Sequence, residues 1–193
     1  MNTTTITTPS TAITMSAWSD RVLTCSLAIA PLVYLLADST YAARGWDDGG
    51  AGGVHVLGAI LYGFVALRLV TWSTGRLQAA ALVAALLGTA GNVAFGFNTI
   101  HVSLGAVDLV DATGPGAIIK PLGLCFPLSL LLSAVILHKR DMRISATLVG
   151  VAAVLWPVAH IANIAPLAIV TNVLLVCGLV PLASSRLIRS LGW

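Results

Sequence analysis

The chain contains no glutamate and little charge of either sign. Charged residues make up 9% of its 193 residues and hydrophobic residues 58%, whereas an average soluble domain is about 25% charged. A soluble fold of this size needs more polar surface, and intrinsic disorder needs lower hydrophobicity. A net charge of +3 provides no basic face, so we expect no nucleic-acid partner. The composition predicts an all-α integral membrane protein.

Several sequence signals of known chemistry are also missing. The three cysteines, Cys25, Cys125 and Cys177, lie in apolar runs and do not have the pattern of a secreted disulfide framework. Walker A, nucleophile-elbow and zincin motifs are absent. Because no carboxylate is expected at mid-membrane, transport coupled to a buried acid is disfavoured. No run of Gly and Thr typical of a selectivity filter is present, so the sequence gives a cation channel little support.

Six apolar runs of 16 to 21 residues follow one another along the chain, and a helix that crosses a bilayer needs about 20. They predict a six-helix transmembrane bundle over residues 20–189, with spans at 22–37, 54–72, 77–97, 117–137, 144–161 and 165–183. A Thr/Ser-rich tail, 1–19, is predicted to be disordered, and 190–193 form a C-terminal end. The Asp20-Arg21 flank is unlike a signal-peptide n-region, so the first run is expected to be retained as a helix.

Basic residues are divided unevenly between the two sides of this predicted bundle. Alternating loops, with the N-terminus inside, place two of the ten outside, Arg44 and Lys120. The other eight lie inside: Arg21, Arg68, Arg76, Lys139, Arg140, Arg143, Arg186 and Arg189. The positive-inside rule therefore predicts cytoplasmic N- and C-termini in a cell membrane.

Polar residues within the spans gather near the outer side. Asn98 and His101 are three residues apart, as are His160 and Asn163, so each pair shares one helical face. Polar side chains in hydrocarbon are costly, and they usually face the bundle interior and mark a site. This clustering predicts a polar pocket that faces outward.

The preferred interpretation is a membrane-embedded enzyme that acts on a hydrophobic substrate, such as an isoprenoid or another lipid-like molecule. The expected acid–base residues are His101, His160, Asp108 and Asp111. The expected substrate-binding residues are Asn92, Asn98, Asn163, Trp156 and Asn172. The histidines would exchange protons with the substrate, and the asparagines would orient its polar atoms.

The same histidines leave cofactor alternatives open. His55, His101 and His160, with a carboxylate from Asp38, Asp108 or Asp111, would suit zinc. His101 and His160 could also ligate a single haem b. No spacing such as HExxH places two of these ligands on one helix.

Two other functions remain open at this point. The bundle could bind or transport a small solute together with a partner membrane subunit, since the chain has no energy-coupling motif of its own. It could instead be a structural membrane protein, alone or as a homo-oligomer, whose polar side chains join helices to one another. Each histidine would then be an interfacial residue bonded to a carbonyl, and Asp108 and Asp111 would be solvated loop residues.

Overall fold

The structure is a computed structural model that describes residues 16–190, with side chains to residue 184. Residues 1–15 of the predicted tail, 1–19, lie outside the described part of the chain. Residues 191–193 of the predicted C-terminal end lie outside it as well. Six long helices and no strand occur among the described residues: α1 (Ala17–Arg44), α2 (Gly49–Val70), α3 (Gly75–Ser103), α4 (Ile119–Lys139), α5 (Arg143–Ile161) and α6 (Ala165–Ser190). A short 3₁₀ turn, Pro115–Ile118, leads into α4.

All six helices are long and apolar enough to cross a membrane. This confirms the prediction of an all-helical chain with six candidate spans and is consistent with a multi-pass membrane protein. Their outward surfaces are covered with large exposed hydrophobic side chains, including Leu36, Leu57, Leu86 and Val154, which suits a bundle surrounded by lipid rather than water.

The helices form a closed ring in chain order. Each packs against its neighbours in sequence, α6 returns to pack against α1, and α2 also touches α4 across the interior. Helices α1, α3 and α5 end where α2, α4 and α6 begin, and we call this the cavity end. The opposite end, where α2 and α4 finish beside Arg68, Lys139 and Arg140, is the basic end.

Small residues allow the helices on one side of the ring to approach closely. A Cβ atom at Gly88 or Gly91 of α3 would collide with the backbone of α4 around Phe126 and Gly123. One at Gly96 would collide with α2. Backbones in such contact are typical of membrane helix pairs joined through small residues.

Helix α1 is longer than the apolar run from which it was predicted. Ser16 caps its first turn by accepting a hydrogen bond from Ser19 N, and the helix continues seven residues past Ala37 to Arg44. Asp38, expected at the end of the first span, therefore lies inside the helix and is fully buried. The sequence alone did not predict this burial, because the partners of Asp38, His160 and Asn172, come from distant helices.

Candidate functional site

A cavity of about 490 Å³ opens at the cavity end, inside the helix ring. Its wall is built from α2, α3, α4 and α5 and from the segments between the helices. Apolar and aromatic side chains, among them Phe95, Leu124 and Trp156, make up much of the wall. The buried polar side chains of His55, Asn92, Asn98 and His160 also reach it. A concave apolar site with a few convergent polar groups is typical of a small-molecule pocket.

His160, from α5, is held at the cavity wall by two hydrogen-bonding partners. Its Nδ1 lies 2.9 Å from the carbonyl oxygen of Trp156, one turn earlier on the same helix. Its Nε2 lies 3.1 Å from Asp38 Oδ2 of α1. Asn172 of α6 donates to the same carboxylate oxygen over 2.5 Å. Three helices thus meet in one buried polar network behind the cavity.

These contacts set the smallest number of protons that satisfies the network. A carbonyl oxygen only accepts, so the Trp156 contact requires a proton on His160 Nδ1. The contact between His160 Nε2 and Asp38 Oδ2 needs one further proton, on either atom. With these two protons the pair has no net charge, either as imidazolium with carboxylate or as imidazole with carboxylic acid. A pair without net charge avoids the large cost of an isolated buried ion.

His55, from α2, is the second histidine at the cavity, and it is fully buried. Its Nε2 lies 3.3 Å from the hydroxyl of Tyr34 on α1. Its Nδ1 has no hydrogen-bond partner among the described residues. This nitrogen is enclosed by protein, and the side chain of Asn92, another residue of the cavity lining, lies beside the ring. Nδ1 accepts a proton if Nε2 carries the ring hydrogen, and donates one if Tyr34 is the donor to Nε2.

Aromatic rings surround the two histidines. The Trp156 ring stacks on His160 with centroids 4.2 Å apart, and Trp46 meets the same imidazole edge-on at 5.8 Å. Tyr41 stacks against Trp46 at 5.1 Å. Below them, Tyr34, Tyr62 and Phe126 are buried and pack ring against ring. This aromatic layer provides a rigid apolar floor between the cavity and the basic end.

The α3–α4 connection borders the cavity and is fastened to it by Asn98. The Asn98 side chain donates to Asp108 Oδ1 over 2.9 Å and accepts from Leu109 N over 2.8 Å. Val110 N donates to the same Asp108 oxygen. At the far side of this connection, Lys120 Nζ lies 2.7 Å from Asp111 Oδ1.

Most of the site residues predicted from the sequence come together here. The predicted residues that line the cavity are His55, Asn92, Asn98, Asp108, Asp111, Trp156, His160 and Asn163. Asn172 lies behind the wall, where it bonds to Asp38. His101, predicted as an acid–base residue, is exposed at the end of α3 and does not line the cavity.

The predicted metal and haem sites do not fit this arrangement. Among residues 16–184, no three His, Cys, Asp or Glu side chains converge as a metal-binding group. His101 lies outside the cavity that His55 and His160 share. Both ring nitrogens of His160 already have partners within the protein. A zinc or haem ligand set built on these three histidines would require a different arrangement of α3 and α5.

The structure adds two site residues that the sequence did not indicate, Tyr34 and Trp46, and it places Asp38, considered above only as a zinc ligand, in a network with His160 and Asn172. Tyr34 and Asp38 are four residues apart on α1, and such residues share a helical face. This spacing, together with a carboxylate immediately after an apolar run, was the available signal. Trp46 packs on Tyr41 and His160 and donates a hydrogen bond to Asn163 O.

No protein-family model, curated protein sequence or solved structure compared with this chain matches it.

Proposed function

We propose that the protein is a membrane-embedded enzyme that acts by acid–base chemistry on a small, largely apolar substrate. The substrate would occupy the cavity, with a polar group at the two histidines. One observation carries the proposal: two buried histidines from different helices line one cavity, and each contacts an ionisable side chain of α1. Those side chains, Tyr34 and Asp38, lie one helical turn apart.

His55 is the residue best placed to exchange a proton with the substrate. Its Nε2 contacts Tyr34, which orients the ring, and among the described residues its Nδ1 has no hydrogen-bond partner. A histidine oriented by a second group at a pocket is the arrangement of a general acid or base. The Nε1 atom of Trp156, which has no hydrogen-bond partner in the described part of the chain either, would serve as a donor to the substrate.

The His160–Asp38 pair has a supporting role in this proposal. Both nitrogens of His160 are occupied, so its ring forms the wall without offering a free lone pair. Its neutral pairing with Asp38 places a polarisable group beside the substrate at little electrostatic cost. Asn172 holds the carboxylate in place from α6.

Because both nitrogens of His160 are occupied, this residue offers no free lone pair for catalysis. That also favours a second function, the capture of a small solute without chemical change. In that case the histidines would be binding groups, and a partner membrane subunit would supply the energy for movement. The aromatic layer of Tyr34, Tyr62 and Phe126 favours the enzyme, because it places bulky packed rings below the cavity.

Filling the cavity tests whether it is the binding site. Gly123 of α4 lines the cavity, and an added Cβ there would meet no described atom within 4 Å. Gly123→Leu should therefore occupy the cavity without disturbing the helices. The matched control is Gly53→Leu, since Gly53 of α2 has equally open surroundings outside the cavity. In native mass spectrometry from nanodiscs, a copurifying small molecule should be lost from Gly123→Leu and retained by Gly53→Leu.

A second variant separates the enzyme from the solute-binding protein. The copurified molecule, returned to the purified protein, should be converted by the wild type and not by His55→Gln, whose amide can still meet Tyr34 but cannot exchange protons. Conversion by His55→Gln at the wild-type rate would exclude acid–base catalysis by this histidine. Binding without conversion by the wild type would favour solute capture.

We also propose that the protein lies in a cell membrane with both termini cytoplasmic, so that the cavity faces outward. The uneven distribution of ten basic residues supports this orientation. Single cysteines placed on a cysteine-free background at Ser103 and Ser73 would test it. An impermeant thiol reagent applied to intact cells should label the first and not the second.

A further inference from the structure

We infer that the ligand of the cavity is an organic cation, an ammonium group attached to an apolar body. This inference rests on the proposed function, because it names the chemical class of the molecule that occupies the same cavity. The structure assigns the role of cation receptor to Asp108, with Asp47 adding negative charge at the mouth.

Charge at the cavity is unbalanced. Four charged side chains line it: Asp47, Asp108, Asp111 and Lys120. Lys120 and Asp111 form a pair at 2.7 Å and cancel one another. Within residues 16–184, no basic side chain pairs with Asp47 or Asp108 within 4 Å. The cavity therefore carries two uncompensated carboxylates.

Asp108 is held as a fixed receptor rather than as a mobile surface group. Its Oδ1 accepts hydrogen bonds from Asn98 and from Val110 N. Asn98 is itself 4% exposed and belongs to the packed interior of α3. These two donors orient the carboxylate without neutralising it, and a cation could bind it without reorganising the loop.

The remainder of the cavity offers no competing source of positive charge. The His160–Asp38 pair behind the wall has no net charge when it holds the smallest number of protons that satisfies its hydrogen bonds. Trp46 and Trp156 line the same cavity as the uncompensated carboxylates, and indole rings attract organic cations. His55, also in the lining, has at Nδ1 a buried nitrogen with no hydrogen-bond partner among the described residues.

An organic cation fits this site better than a metal ion. A divalent metal needs several oxygen or nitrogen ligands around one point, and no such group of His, Cys, Asp or Glu occurs among the described residues. Trp46, Trp156, Phe95 and Leu124 provide an apolar wall that a hydrated metal would not use. An ammonium on an apolar body uses both the carboxylate and the wall.

Three probes of similar size and different charge test the inference: benzylammonium, benzyl alcohol and benzoate. Their dissociation constants are measured by calorimetry with the full-length protein in nanodiscs, and empty nanodiscs give the blank. We expect the cation to bind at least about tenfold more tightly than the alcohol, as one charge-assisted contact would give. Benzoate should bind most weakly.

Charge variants then identify the receptor. Asp108→Asn keeps oxygen acceptors for Asn98 and Val110 N, so the loop should stay in place while cation affinity falls about tenfold. Lys120→Gln releases Asp111 and should tighten cation binding by about two- to threefold, since Asp111 is exposed and screened. The control is Asp141→Asn, an exposed carboxylate at the basic end, which should change nothing.

The outcomes separate this inference from the proposed function. If the alcohol binds the wild type as tightly as the cation, and Gly123→Leu abolishes both, the cavity is a binding site and the organic-cation inference is overturned. It is also overturned if Asp108→Asn leaves cation affinity unchanged. If no probe binds, or if binding survives Gly123→Leu, both the inference and the proposed function fail.

Discussion

The two ends of the bundle place buried charge in opposite ways. At the basic end, the guanidinium of Arg68 is 4% exposed, but its partner Asp20, at 2.7 Å, is half exposed to the surroundings. At the cavity end, Asp38 and His160 are both buried and bond to each other. The basic end therefore directs its ion pair outward, while the cavity end keeps its pair inside, next to a cavity.

Buried polar atoms without a hydrogen-bond partner among the described residues are more numerous at the cavity end. Asp38 Oδ1, His55 Nδ1, Trp156 Nε1 and Asn172 Oδ1 lie there, and Arg68 Nε is such an atom at the basic end. Buried polar groups in native proteins are almost always hydrogen-bonded, so each exception needs an explanation. A bound molecule would explain those of His55 and Trp156, two residues of the cavity lining. The comparison supports the proposal that the cavity end binds a small molecule.

The largest expected effect comes from breaking the inner ion pair. Asp38→Ala leaves His160 buried without its partner, and we expect a loss of about 3–5 kcal/mol in the free energy of unfolding. Arg68→Met leaves Asp20 near water and keeps an apolar side chain over Trp72, so about 1 kcal/mol is expected. Steric-trapping measurements in bicelles give both values. Equal losses would remove the distinction between the ends.

The next largest loss of stability should come from removing, at each end, a side chain that bonds to the segment between two helices. Asn98→Ala deletes buried bonds to Asp108 and Leu109, and should cost about 2 kcal/mol and increase hydrogen exchange in residues 104–114. Arg140→Ala deletes the bond from an exposed arginine to the carbonyl of Trp72 at the basic end. A cost of less than about 1 kcal/mol is expected there. A larger effect from Arg140→Ala would contradict this ranking.

A smaller difference in stability is expected between variants of two buried tyrosines of the aromatic layer. Tyr34→Phe removes the hydroxyl that meets His55 Nε2, and should cost about 1 kcal/mol. Tyr62→Phe removes a hydroxyl with no partner among the described residues, and should be neutral or slightly stabilising. Thermal unfolding in detergent measures both. A cost in Tyr62→Phe that equals that of Tyr34→Phe would show that the His55 contact contributes nothing.

The smallest effect should be the same at both ends. Lys120 with Asp111 and Arg143 with Asp141 are exposed pairs, one at each end. Such pairs contribute about 0–1 kcal/mol and are screened by salt. Lys120→Ala and Arg143→Ala should therefore change stability by similar small amounts, and the changes should vanish at high ionic strength. A large salt-independent loss at either position would show that an exposed pair is structural.

Local hydrophobicity accounts for the parts of the fold that could be predicted. Six apolar runs predict six helices, and the asparagines and histidines near the outer side predict a polar cluster. The burial of Asp38 could not be predicted from local hydrophobicity, because its partners His160 and Asn172 lie 122 and 134 residues away in the sequence. For the same reason His101 and His160 looked equivalent in sequence, although only His160 faces inward.

Ring closure in chain order has a consequence for synthesis. Asp38 is made with the first helix, but the side chains that accommodate it arrive with α5 and α6, the last two. A chain arrested after α4 holds a carboxylate inside the bilayer with neither partner, and such a group is costly there. We expect arrested chains to be unstable, and Asp38→Leu to lengthen their lifetime in pulse-chase experiments. The timing of insertion, and not only the finished bundle, would then constrain which residues the first helix can carry.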